Sequence, residues 1–106
     1  MSNVLDLSVF KEETLDITMP EGNVLHIMKP TQAMVIKMLQ LRAINDKTAP
    51  EVIVKEFNAL ALAILNSNDA AKVFTNEQIE NMSMGMKSAI IEAYGKFITG
   101  LQNNPN

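Results

Sequence analysis

Residues 52–66 constrain the fold of this chain more than any other stretch. Ile53, Val54, Phe57, Leu60, Ala61, Leu62, Ile64 and Leu65 place apolar side chains on nearly every side of a helix. A helix of that kind is stable in water only when other elements cover it from several directions. The remainder of the chain must therefore supply that cover. With 106 residues, the length fits one domain, which buries roughly two thirds of the surface its unfolded chain exposes.

The first cover is expected from a hairpin. Leu15-Asp16-Ile17-Thr18-Met19 alternates apolar and polar, Pro20-Glu21-Gly22-Asn23 carries turn chemistry, and Val24-Leu25-His26-Ile27-Met28 follows as a second β-rich run. Leu15, Ile17 and Met19 would share one face with Leu25 and Ile27. Two strands alone are marginal in water, so that face must rest on helices. Ahead of the hairpin, Leu5, Leu7 and Val9 alternate loosely, and residues 1–13 read as either a mobile arm or an extra strand.

Helices account for the rest. Pro30 closes the hairpin, Thr31 can cap, and residues 32–44 are dense in helix formers, with Val35, Met38, Leu39 and Arg42 along one stripe. Thr48 and Glu51 have capping-box spacing before the central helix, with Pro50 in its first turn. Asn66-Ser67-Asn68-Asp69 marks that helix's end, and residues 70–74 are expected to add one short turn. Thr75 with Gln78 forms the best-marked helix start, and Phe74 can staple onto Ile79. From there Ile79, Met82, Met86, Ile90, Ala93, Tyr94, Phe97, Ile98 and Leu101 repeat at three and four, which predicts one helix to about Leu101. Gly85 and Gly95 lie inside it, each at about 1 kcal/mol relative to Ala, so close packing or a bend should compensate. The expected fold is α+β and mainly α: a hairpin over 14–29 packed on a bundle of three helices, with room for a fourth, over 32–101. Residues 102–106 form a polar tail.

Composition narrows the chemistry. Net charge is −3, with five acids against Lys11 in residues 1–21. One Arg and eight scattered Lys do not make the basic cluster that displaces counterions from phosphates, so no nucleic-acid partner is expected. Apolar segments are broken well short of the ~18 residues a membrane span needs, and no export signal opens the sequence. Cysteine is absent, which removes thiolate chemistry and suits a reducing cytoplasm. His26 is the single histidine, and no serine has nucleophile-elbow context. Glu77 and Glu80 share a helical face but lack a third ligand, and their plainer role is favourable charge in a first turn. Neither an enzyme, a metal site nor a cofactor is expected.

Methionine is unusually common, at eight residues. It is flexible and polarizable, and proteins use it heavily on surfaces that accept varied partners. Met34, Met38, Met82, Met84 and Met86, with Phe57 and Phe97, are the candidate partner-binding residues, either in a client groove or in self-association. Filling gaps in the core is the plainer role for the methionines. At 100° per residue Met84 lies on a different side from Met82 and Met86, which makes it the one expected to be exposed.

The order of these signals resembles a family. The Leu-rich start, Leu15-Asp16-Ile17 before Pro20-Glu21-Gly22, the run Leu25-His26-Ile27-Met28-Lys29-Pro30-Thr31, the helices, and Tyr94-Gly95-Lys96-Phe97-Ile98 leading to Asn103-Asn104-Pro105-Asn106 are similar in layout to tail assembly chaperones of long-tailed phages and prophages of Gram-positive bacteria. The resemblance implies a factor in the host bacterial cytoplasm that binds the hydrophobic tape measure protein and promotes assembly of tail tube protein around it. It also implies an extended form made by frameshifting near the end of the gene. Self-association is an expectation from the residues themselves, through the methionines or by pairing of the acidic arm or hairpin edge with a neighbouring copy. The plainer role of the acidic residues 1–21 is solvated charge that guards the hairpin edge. The competing expectation is a structural virion component, such as a head-tail connector or tail completion protein.

Overall fold

The computed structural model describes residues 4–7 and 13–103, with the backbone alone for 101–103. Its elements are β1 (Leu15–Thr18), β2 (Val24–Ile27), α1 (Gln32–Arg42), α2 (Pro50–Leu65), α3 (Asn76–Glu80) and α4 (Met84–Asn103). The α+β, mainly α architecture is as expected: an antiparallel hairpin lies against a helical bundle. Most of the 1–13 arm and the end of the polar tail lie outside the described residues.

The hairpin follows from its alternation. Leu15 pairs with Ile27, Asp16 with His26, Ile17 with Leu25 and Thr18 with Val24. Met19, Leu25 and Ile27 are buried, with Leu15 and Ile17 packed against them. At the turn, the Gly22 N–H donates to the Met19 carbonyl at 2.8 Å, and the Met19 N–H donates to the Asn23 carbonyl at 2.8 Å. That closure needs a left-handed residue at the loop's end, and Gly22 takes it with φ +98°. β1 rests on α4 and β2 on α2.

As expected, α2 is the central helix, in contact with α1, α3, α4 and β2. The buried residues of α2 all lie in its second half, at Leu60, Ala61, Ile64 and Leu65, with Leu62 and Ala63 half-buried beside them; Val52 and Val54 in the first half remain 46% and 44% exposed. The Thr48–Glu51 capping box does not form. Ala49 occupies the N-cap without a side-chain bond, because the Thr48 hydroxyl accepts the Asn45 N–H at 3.3 Å. Such local side-chain bonds compete with capping for the same hydroxyl.

α1 begins at Thr31, whose hydroxyl accepts the Met34 N–H at 3.4 Å. Its inward stripe is Met34 and Met38 with Leu41, one residue out of phase with the expected one, and Leu39 is 56% exposed. Because α1 is apolar almost all round, periodicity alone does not select its buried side. At Gly95 of α4, a Cβ would come within 3.3 Å of the Met38 Cε, which is the close helix packing anticipated for that glycine.

The single helix expected from Thr75 to Leu101 is broken at 81–83. The Thr75–Gln78 capping box is present, but α3 ends after five residues, and α4 starts afresh with the Met86 N–H bonded to the Ser83 hydroxyl at 3.1 Å. Apolar spacing runs through the break because Ile79 and Ile90, on its two sides, are buried in the same core. The short turn expected over 70–74 is also absent. Instead the Asn68 Oδ1 accepts N–H bonds from Ala70 and Lys72, both at 3.0 Å, and holds Ala71 between them at φ 57°. That left-handed conformation costs a non-glycine residue roughly 1 kcal/mol. Two further bonds from the Asn68 amide, to the Leu65 and Lys72 carbonyls at 2.7 and 2.8 Å, tie the segment down.

Tyr94 is fully enclosed, and among the described residues its hydroxyl has no hydrogen-bond partner. Burial pushes its phenol up to about 12. Tyr94→Phe removes the unpaired polar atom and keeps the ring, so it should stabilise the fold by about 1 kcal/mol; urea denaturation of the two proteins measures the difference.

Candidate partner-binding surface

The structure disperses the seven candidate residues. Met34 and Met38 are 7% and 6% exposed and belong to the core; for them the gap-filling role is the one observed, and they present little to a partner. Phe57 and Phe97 are half-buried against the same core, and the Phe97 ring lies tilted on Tyr94 with centroids 6.4 Å apart. Met84, the first residue of α4, is 49% exposed as expected, although Met82 lies in the break before it and not on the same helix.

Met82 and Met86 come together with the hairpin. The turn residues Met19 and Pro20 overhang the start of α4, and a hollow of about 470 Å³ opens between them and Phe74, Met82 and Met86. On the other side of the same turn, Met86 also borders a hollow of about 360 Å³ between β1 and the Ala89, Ile90 and Ala93 side chains of α4. Met86 thus borders both a mainly apolar depression against β1 and a mixed one, whose wall also holds Glu21, Lys72, Gln78, Asn81 and Ser83. A third depression, between α1 and α4, has Met38 and Gly95 in its wall, with Arg42, Glu92 and Lys96 around it.

Several exposed apolar residues escape sequence reasoning: Ile36, Leu39, Val73 and Met28 are 46%, 56%, 76% and 47% exposed. For α1 the signal was present, since its apolar residues exceed what one packed face can hide.

Polar chemistry is sparse. His26 lies on the outer face of the hairpin, where its Nδ1–H donates to the Asp16 Oδ1 at 2.7 Å. The Thr14 hydroxyl donates to the same oxygen at 2.7 Å. The hydrogen bond with Asp16, reinforced by its charge, raises the His26 pKa above 6.5; the bonds from His26 and then Thr14 lower the Asp16 pKa below 3.8. His26 draws stabilisation from the pair fully below pH 6.5 and loses it as pH rises through the raised folded value. Asp16 contributes fully above pH 3.8 and loses its share as pH falls through the lowered folded value. His26→Gln should therefore cost more stability at about pH 5 than at about pH 8, as measured by urea midpoints.

Elsewhere, buried Lys87 donates to the Asn58 Oδ1 at 2.8 Å and ties α4 to α2. Among the described residues, no cluster of three His, Asp or Glu side chains is placed to hold a metal, and no helix is long and apolar enough to cross a membrane. No protein-family model, curated protein or solved structure matches this chain.

Proposed function

We propose that the protein is a polypeptide-binding factor of the tail-assembly-chaperone kind, which engages apolar helical segments of a tape measure protein in the host bacterial cytoplasm and promotes assembly of tail tube protein around them. The observation that carries this reading is the methionine-bordered surface at the start of α4. Met82 and Met86 line a hollow under the hairpin turn, and Met84, the first residue of α4, is 49% exposed between them in sequence. Flexible thioethers can remodel against successive stretches of a long client without one fixed register. Met19, Pro20, Phe74, Met82 and Met86 make up the apolar half of that hollow's lining, and Glu21, Lys72, Gln78, Asn81 and Ser83 the polar half, which suits a client that offers an apolar stripe with polar flanks.

Met84→Glu combined with Met86→Glu tests it. Both positions lie in the first turn of α4, where negative charge is favourable, so the helix should persist. The double variant should keep its helical circular dichroism and lose co-purification with the tape measure protein. Undiminished capture by a folded double variant overturns the reading.

A structural virion component is the second reading, and the separate exposed residues Ile36 and Leu39 on α1 favour it, because a permanently packed subunit uses several faces at once. Mass spectrometry of purified particles separates the two, since stoichiometric copies in the virion argue for structure and their absence argues for a chaperone.

A further inference from the structure

The two edges of the hairpin are unequal. Along β2, the Met28 N–H donates to the Ser67 carbonyl at 2.9 Å and the His26 carbonyl accepts the Asp69 N–H at 3.1 Å, with a bridge between Ile27 and Asn68. That edge is closed. Those bonds also fix which backbone groups face outward: His26 and Met28 point away from β1, so by alternation the Asp16 and Thr18 opposite His26 and Val24 point away from β2. Among the described residues, nothing pairs with this outer edge of β1.

Beside that edge lies the hollow between β1 and α4. Ala89 and Ala93 form part of its helical wall, and their short side chains leave room for larger ones. The chain itself carries a segment whose sequence pattern matches, although in the single chain Leu7 lies in a 3-10 turn and the segment would have to extend to pair. Val4-Leu5-Asp6-Leu7 is four residues long, as β1 is, and Leu5 and Leu7 alternate so that both reach one face of an extended strand. In the single chain Val4, Leu5 and Leu7 are 80%, 78% and 63% exposed, so a chain's own 4–7 segment does not occupy its own hollow.

We infer that the outer edge of β1 and the hollow beside it receive the 4–7 segment of a second copy, which pairs with the Asp16 and Thr18 backbone groups and lays Leu5 and Leu7 over Ala89 and Ala93. The pairing satisfies the outward backbone groups and buries apolar residues that the isolated chain leaves in water. It is independent of the client reading, because it needs only the hairpin edge, α4 and the chain's own leucines.

The chain has no cysteine, which permits a direct test. Leu7→Cys and Ala89→Cys, each a substitution at an exposed position, are made in separate proteins, mixed, and treated with a mild oxidant. The mixed disulfide should dominate over both homodimers, and Leu5→Asp added to the Leu7→Cys protein should abolish that preference. Light scattering of the unsubstituted protein should show association that Leu5→Asp with Leu7→Asp removes. Mixed and homodimeric disulfides in statistical proportion, an intramolecular bond in a Leu7→Cys, Ala89→Cys double variant at low concentration, or a strictly monomeric unsubstituted protein would each overturn the inference.

Discussion

Asn68→Ala should destabilise the fold by about 3 to 4 kcal/mol, although it deletes no apolar contact of any size. Asn68 is 4% exposed, and its amide group makes four hydrogen bonds to backbone: donations to the Leu65 and Lys72 carbonyls, and acceptance from the Ala70 and Lys72 N–H groups. Alanine leaves those groups to find water from a partly buried position, at roughly 1–3 kcal/mol for each that fails. Two further losses add to this. Ala71 is held in its left-handed conformation by the bonds on either side of it, and Ser67 and Asp69 present backbone to β2 only while the segment keeps its path. Asn68→Asp should be comparably damaging, because a carboxylate retains the two accepted bonds but replaces both donations with repulsion against carbonyl oxygens. Chemical denaturation gives the size. Hydrogen exchange at Met28 and Asp69 should show loss of protection in Asn68→Ala before the rest of the fold opens.

Ile79→Ala should cost about 2 to 4 kcal/mol and melt α3. Ile79 is fully enclosed and is the only buried residue of a five-residue helix. A helix that short has no stability of its own in water, so its geometry depends on this one anchor together with the capping box. Once the anchor is removed, the box has no fixed partner to act against. Phe74, which enters the same core from just ahead of the cap, should loosen with it. The hollow under the hairpin turn has Phe74 and Gln78 in its wall, so client capture should fall in step with stability. The near-ultraviolet signal of the Phe and Tyr side chains should weaken more than the far-ultraviolet helical signal.

These two residues mark how far the sequence speaks. The hairpin was legible because alternation at period two, a Gly-containing turn and a proline stop agree with one another. The Thr31 cap, the Thr75–Gln78 box and the central position of α2 were legible for the same reason. The break at 81–83 was not, because Ile79, Met82, Met86 and Ile90 keep helical spacing across it; the signal available was Ser83, a good N-cap residue three before Met86. Asn66 and Asn68 read only as a helix stop. Their bonds reach Phe74 and Lys72, eight and four residues on, and turn residues carry no pattern that announces such partners. At the candidate surface Met84 is exposed as expected, but not for the angular reason: that count runs along one helix through Met82, and Met82 lies in the break. Placing Met34 and Met38 in the core requires knowing which side of an evenly apolar α1 meets α2, and that is a tertiary fact.

The closed flank of β2 has a consequence for how this protein behaves when crowded. A ribbon that can be lengthened on both sides is a seed for endless cross-β stacking, and natural proteins guard against it. Here the stretch around Ser67 and Asp69 stoppers one side with its own backbone. Among the described residues the hairpin is therefore open to strand addition on the β1 side alone.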